Sequence, residues 1–287
     1  MILVTGATGH VGRAVVSLLS GRGEDVAAMV RNVAAAARRV PRDVPLRVAD
    51  YEDVPAVTAA LAGIDSLVFI ASDGEAGAVM RHHTNVIEAA RKQRVRHVTF
   101  TSIVDVDVGS SFYFAPVYQD AERRLAASGI PATVLRCGIY SDFILQYWLE
   151  SGVDSGVLAL PTGDGRVAPI SRDDVAVAVT EPAVGRKPGS QYLVTGSQAL
   201  GVAEIAASYS DATGTPLRYR PCSQDDYLMW TGKRLTAPWP RAFTTLCGSI
   251  AEGRYGRVST DFASLTGRDP ETFREFLLRS WRVGRPV

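Results

Sequence analysis

A chain of 287 residues, 46% of them hydrophobic, can bury one large α/β core or a core with a smaller appendage. Its 31 basic and 30 acidic residues leave a net charge of +1, which gives no electrostatic footprint for nucleic acid or a membrane surface. Three cysteines, Cys137, Cys222 and Cys247, lack C-x-x-C spacing; this points away from a disulfide framework or a zinc site and towards a reducing compartment. No apolar run reaches about 18 residues, and the first strand starts at Ile2, so a cytoplasmic protein, monomer or homodimer, is expected.

The first dozen residues, MILVTGATGHVG, read as a buried strand, a glycine-rich turn and the start of a helix. Glycines let the backbone approach a ligand, and the N–H groups of a helix N-terminus favour anionic oxygens. Gly6, Thr8, Gly9, His10, Val11 and Gly12 therefore form the expected diphosphate site of a dinucleotide. The spacing is G-x-x-G-x-x-G, not the tighter G-x-G-x-x-G. The first crossover helix is expected from about His10 to Arg22, ended by Gly23.

The second strand, from about Asp25, finishes at Arg31, where a dinucleotide fold meets the adenosine ribose. With Asn32 next and no carboxylate there, Arg31 suits a 2′-phosphate, so NADPH is favoured and NAD stays possible; otherwise Arg31 is a solvated strand-end charge. The third strand, PLRVAD, ends at Asp50, which either reaches the adenine amino group or caps the helix that follows. The fourth strand ends at Ala71 and Ser72 and the fifth at Ser102, all placed over the cofactor by the rule that ligands lie beyond the carboxyl ends of strands. His82 and His83, on the helix from about Ala76 to Gln93, have no metal-ligand spacing with another His or Cys, so no metal is expected.

TGATGHVG, VRN, VAD, ALAGIDSLVFIAS, HHTNVIEAARKQRVRHVTFTS and ASGIPATVLRCGIYSDF together resemble the NmrA-like atypical short-chain dehydrogenases, the type 2 NAD(P)H quinone oxidoreductases most of all. The likeness continues through PISRDDVAVAV, SQYLVTGSQALGVAEIAASYSDATGTPLRY and ASLTGRDPETFREFLL. It implies a doubly wound parallel sheet of order 3-2-1-4-5-6 with a seventh strand, and a small C-terminal α+β lobe. The expected division is a dinucleotide-binding domain over 1–151 and a substrate lobe over 152–287, with some segments of the latter returning to the sheet.

Related dehydrogenases carry Y-x-x-x-K, with a glutamate four residues further on. Setting Glu122 on that glutamate puts Phe114 in place of the tyrosine and Tyr118 in place of the lysine. A missing acid costs simple ketone chemistry about 10²–10⁴-fold. An electron-poor quinone suffers less, because the acceptor itself drives hydride delivery. The resemblance also implies L-R-N-G at the end of the sixth strand, where this chain has Cys137 and Gly138 beside the nicotinamide, and a thiol is a poor donor. Tyr118 is the expected proton donor, or else a buried aromatic.

Tyr140, Phe143, Tyr147 and Trp148 recur at helical offsets, as a core stripe or as a pocket wall. With Phe112, Tyr113 and Phe114 before them and Tyr227, Trp230 and Trp239 after, they suit a flat substrate. Phe112, Tyr113, Tyr140, Phe143 and Trp230 are the expected pocket residues. Two functions follow. One is an NADPH-dependent reduction of a quinone-like or polycyclic aromatic acceptor, which can prepare it for a later oxygenation in secondary metabolism. The other is an NmrA-type redox sensor that binds dinucleotide and regulates a partner without turnover.

Overall fold

The computed structural model describes residues 1–185 and 189–283. In chain order the first elements are β1 (Ile2–Val4), α1 (His10–Gly21), β2 (Val26–Val30), α2 (Val33–Ala36), β3 (Leu46–Val48), α3 (Val54–Ala60), β4 (Ser66–Phe69), α4 (Ala76–Lys92), β5 (His97–Ile103), α5 (Ala115–Ala127) and β6 (Ala132–Cys137). Next come α6 (Ser141–Phe143), a π-helical turn over Ile144–Leu149, α7 (Glu150–Gly152), β7 (Val157–Leu160), β8 (Arg166–Val167), α8 (Arg172–Gly185), β9 (Ser190–Val194) and β10 (Leu200–Gly201). The chain ends with α9 (Val202–Thr213), β11 (Arg218–Pro221), α10 (Gln224–Gly232), α11 (Trp239–Ala251), α12 (Asp261–Thr266) and α13 (Phe273–Val283).

Seven strands form one sheet in the order β3-β2-β1-β4-β5-β6-β9, the doubly wound arrangement that the sequence implies. Its seventh strand is β9, in the QYLV segment. The LRYRP segment holds β11, which lies outside this sheet and pairs in parallel with β7.

Contacts divide the chain into two compact units, and neither is one continuous stretch. The first comprises Met1–Ile103, Pro116–Arg136 and Asp173–Tyr192; the second comprises Val104–Ala115, Cys137–Arg172 and Leu193–Val287.

In the first unit, β1, β2 and β4 are buried along their whole length, so their sequences are continuous apolar runs. Leu3, Leu67, Phe69 and Phe100 pack there against Val57, Leu61, Val86, Ala90 and Leu125 of the covering helices. Helix ends are set by local chemistry. Asp53, not Asp50, caps α3 by accepting from the Ala56 N–H at 3.0 Å, and Glu75 caps α4 through the Ala78 N–H at 3.0 Å. Asp50 instead accepts from the Glu52 N–H at 3.0 Å within the turn. Among the described residues no helix is long and apolar enough to cross a membrane.

One polar ring lies inside this core. His83 is fully buried and edge-on to Phe69 and Phe100, with centroids at 5.4 and 5.7 Å, and it lies 5.7 Å from the Tyr118 ring. Burial, helped by the neighbouring His82, pushes its imidazole from 6.5 down to about 4. The native state therefore refuses a proton that the unfolded chain accepts between those two values. The stability this neutral ring retains is whole above pH 6.5 and falls as pH drops towards 4, by about 3 kcal/mol. Urea midpoints measured between pH 7 and pH 4 should show this decline, and His83→Phe should remove that part of it.

Candidate functional site

The expected cofactor residues of the first unit meet beyond the carboxyl ends of its strands. Gly6 adopts φ +59°, and a Cβ there would stand 3.3 Å from that of Ile70. Gly9 is the N-cap of α1 and donates to the Gly6 carbonyl at 2.9 Å, with no side chain capping the helix. The first intrahelical bond runs from Arg13 to Gly9, so the amides of His10, Val11 and Gly12 have no carbonyl one turn back. At Gly12 a Cβ would fall 2.2 Å from the Gly6 oxygen, so only glycine lets α1 start this close to the loop. A helix start with no side-chain cap and no acidic residue in its first turn, beside left-handed backbone, fits a diphosphate. Thr5 ties the loop to β4 by accepting from the Ile70 N–H at 3.0 Å.

The adenosine side shows more than the sequence suggests. Arg31 is exposed at the end of β2, and Asn32 caps α2, accepting from the Ala34 and Ala35 amides at 2.8 and 3.2 Å. Arg39 reaches back and donates to the Thr8 carbonyl at 3.1 Å, so a second guanidinium stands on the glycine loop. It follows an alanine run, and no spacing rule singles it out. His10 pairs with Asp173 at 2.8 Å. Tyr51 donates to the Ile70 carbonyl at 3.3 Å, and burial pushes its phenol up to about 12. Asn85 of α4 pins the same turn through the Tyr51 carbonyl at 2.8 Å.

The two expected serines differ. Ser102 is buried and donates to Glu122 at 2.6 Å; Arg136 grips the same carboxylate with two hydrogen bonds of 3.0 and 2.6 Å. The hydroxyl proton of Ser102 is thus committed to an ion pair. Ala71 donates its amide to the Thr101 hydroxyl at 3.1 Å, while the Ser72 hydroxyl meets the His82 imidazole at 2.9 Å. Tyr118 is partly buried; its ring lies 6.3 Å from that of Phe100, against the apolar core.

Cys137, Gly138 and all five expected pocket residues belong to the second unit. Cys137 is buried, with its thiol pushed up to about 12, and the Tyr140 hydroxyl is its hydrogen-bond partner. Gly138 donates to the Val194 carbonyl at 2.9 Å, and a Cβ there would meet the Ala168 oxygen at 3.0 Å. Backbone packing therefore accounts for this glycine.

Rings of this unit form a connected network. Phe112 meets Phe114 at 5.8 Å and Tyr255 at 6.4 Å, and Tyr113 meets Phe114 at 4.9 Å. Phe114 leads through Trp239 at 6.1 Å to Phe243 at 5.8 Å, and Phe243 meets Phe143 at 5.1 Å and Tyr147 at 5.2 Å. Asp105 anchors the loop that carries Phe112 to Phe114: it accepts from Ser110 at 2.7 Å and from Ser249 of α11. The π-helical turn after α6 leaves Phe143 and Tyr147 partly exposed but buries Trp148 completely. Trp148 is core, as one reading of the stripe has it.

Tyr140 and Trp230 each meet an arginine. Tyr140 has Arg172 over its face at 5.2 Å, and Trp230 stacks on Tyr227 at 6.0 Å with Arg234 at 4.2 Å. Phe243 and Tyr255 are network residues that the sequence does not flag; Phe243 follows Trp239 by four on an otherwise ordinary amphipathic helix.

Comparison with known proteins agrees with this geometry. A family model described as NAD(P)H-binding matches residues 6–183. Quinone oxidoreductase 2 of Escherichia coli K12 is 33% identical over 230 residues, 79% of this chain and 79% of the relative. An NAD(P)H azoreductase of Xenophilus azovorans is 28% identical over 280 residues, 96% of each chain. The crystal structure of the NADPH-dependent quinone oxidoreductase of Escherichia coli in complex with NADPH superposes with a TM-score of 0.91 at 29% identity, covering 98% of this chain and 100% of that one. With its uncapped glycine cradle on a doubly wound sheet, this chain belongs to the NAD(P)H-binding family.

Proposed function

We propose that this protein is an NADPH-dependent reductase that delivers a hydride to a quinone or a similar flat, conjugated acceptor. One observation carries the choice of acceptor: where a ketone-reducing dehydrogenase holds tyrosine and lysine, this chain has Phe114, inside a network of rings, and Tyr118. Flat rings offer stacking surface to a flat acceptor and no fixed acid to a simple carbonyl. Quinones and azo compounds accept hydride into a conjugated system, and the names of two relatives point to such acceptors.

When bound, the reduced nicotinamide supplies the hydride. The chain's own residues bind and orient. The amides of the first turn of α1 take the diphosphate, and Arg31 and Arg39 take a 2′-phosphate, which a guanidinium grips through paired, charge-assisted hydrogen bonds. Ala71, Ser72 and Ser102 border the nicotinamide side, and Phe112, Tyr113 and Phe143 receive the acceptor. Tyr118 donates a hydrogen bond to the acceptor oxygen as negative charge builds there. A polycyclic acceptor fits the extent of the ring network, and its reduced form can go on to react with O₂.

NADPH should bind more tightly than NADH, and Arg31→Ala should erase most of that difference. Arg39→Ala should remove a further part of it and also loosen the glycine loop, so its NADH affinity should fall as well. Fluorescence titration of both cofactors against the three proteins checks this; equal affinities in the unaltered protein would overturn the NADP assignment.

With a panel of quinones, with and without oxygen, NADPH should be consumed over many turnovers. Tight cofactor binding with no oxidation above the protein-free rate would favour a sensor instead. Tyr118→Phe should lower kcat by roughly 10-fold and leave cofactor affinity unchanged, because a quinol anion spreads its charge over the ring. An unchanged kcat with chemistry shown to be rate-limiting would reduce Tyr118 to packing.

A further inference from the structure

Reducing a quinone requires a proton as well as a hydride, and neither Ser102 nor Cys137 is placed to replace one once it is spent. Ser102 has committed its proton to Glu122, which Arg136 also holds. The Cys137 thiol is buried, and thiols are weak donors. Ser72 is different, because its hydroxyl faces an imidazole, which can carry a proton to it. Its oxygen lies 2.9 Å from Nδ1 of His82, and Nε2 of the same ring lies 3.1 Å from Oε1 of Glu52.

Three separate segments build this line: the loop after β4, the second turn of α4, and the turn between β3 and α3. Its ends differ in surroundings. Ser72 follows β4, where a doubly wound sheet presents its ligand. Glu52 is half exposed, and the His82 side chain between them retains only 18% exposure.

We infer that Ser72, His82 and Glu52 form a proton relay that supplies the acceptor oxygen during reduction. The inference rests on the reductase reading above. As hydride from the reduced nicotinamide cofactor adds to the acceptor, an anionic oxygen develops. The Ser72 O–H bond breaks and a new O–H bond forms on that oxygen. The proton on His82 Nδ1 passes to Ser72 Oγ, so the serine ends the step as a hydroxyl. The imidazolium becomes a neutral ring whose remaining proton sits on Nε2, donated to the Glu52 carboxylate. Solvent returns one proton to His82 once product has left. Two electrons and one proton arrive as hydride, one proton comes from the relay, and nothing else is consumed. Ser72 is the catalytic residue of the three; His82 and Glu52 act through it.

The groups around the imidazole suit this task. Glu52 meets the Nε2 side of the ring, and Arg81 donates to the same carboxylate oxygen at 3.3 Å, so the carboxylate is held in place from a second side. The Tyr51 ring tilts against His82 at 5.6 Å and fixes its plane, and its buried phenol stays neutral at ordinary pH. His83, next along α4, is buried and neutral there too. A hydrogen-bonded pin for the loop would also need Ser72 and His82. It would not need the imidazole's second nitrogen aligned on an exposed carboxylate.

The test uses the full chain with NADPH and a quinone whose reduction is limited by chemistry. Ser72→Ala and His82→Ala should each lower kcat by roughly 10- to 100-fold, with NADPH affinity kept. Ser72→Thr, which restores the hydroxyl, should recover most of the rate. Added imidazoles should rescue His82→Ala, with rates that follow their basicity, a response that a structural pin does not give. Without cofactor, nitrogen NMR of the imidazole should show neutral His82 protonated on Nε2, and Ser72→Ala should shift only the Nδ1 resonance strongly. Undiminished turnover in Ser72→Ala, or His82→Ala that binds NADPH normally yet ignores imidazole, overturns the relay alone. A wild-type protein that reduces no acceptor overturns the reductase reading and the relay with it.

Discussion

The site depends on one close approach. Gly12 opens α1 so near the Gly6 carbonyl that a side-chain carbon would sit 2.2 Å from its oxygen. That contact holds the helix start against the loop, and the loop in turn follows β1, which is buried between β2 and β4. Thr5 and Tyr51 reach the Ile70 backbone from either side, so the ends of β1, β4 and the turn after β3 are tied together by hydrogen bonds. A diphosphate cradle made of amides needs such ties, because amides cannot be steered by rotamer choice as side chains can. Order in the cradle has to come from packing beneath it.

The same packing explains why polar groups are placed as they are. Ser102 has its partner in Glu122, and Ser66 has one in the Ala183 carbonyl at 3.3 Å. His83 is tolerated because an imidazole can stay neutral and offer edges to Phe69 and Phe100. Its neighbour His82, one position along the helix, points to a different environment and is bracketed by Ser72 and Glu52. Adjacent histidines on one helix thus serve as a core ring and as a polar link, because a shift of one residue rotates the side chain by about 100°.

Much of this was legible in the residues. The glycine spacing, the continuous apolar runs of β1, β2 and β4 and the change to helical periodicity after each announce a doubly wound sheet, since buried parallel strands have no alternation to show. What the sequence hides is reach. Arg39 arrives on the Thr8 carbonyl from 31 residues away, and Glu52 meets His82 across 30. No periodicity encodes such meetings; they follow from where a turn places a long side chain. Geometry likewise takes the helix cap from Asp50, because Asp53, three positions later, stands where the first free amides of α3 can be reached. The aromatic stripe was ambiguous for a similar reason. Tyr147 and Trp148, adjacent in sequence, point in different directions from the helix, so one finishes partly exposed and the other wholly buried.

The balance of donors bears on the chemistry the chain can support. A tyrosine–lysine pair lowers the phenol's pKa and so serves acceptors that must be protonated as they are reduced. Here Phe114 occupies the first position, and the buried thiol of Cys137, which pairs with Tyr140, offers only a weak hydrogen bond. Strong polarisation of an isolated carbonyl therefore has no source among these side chains. A conjugated acceptor does not require it: hydride addition yields an anion spread over several atoms, and the barrier is lowered by the acceptor's own electron deficiency. Proton delivery can then follow hydride arrival instead of coinciding with it, so a hydroxyl reloaded through an imidazole is sufficient where a ketone would demand a poised acid. The replacement of a dedicated acid by rings and the proposed relay is thus one coherent change, from a proton poised at the acceptor to one delivered after the hydride.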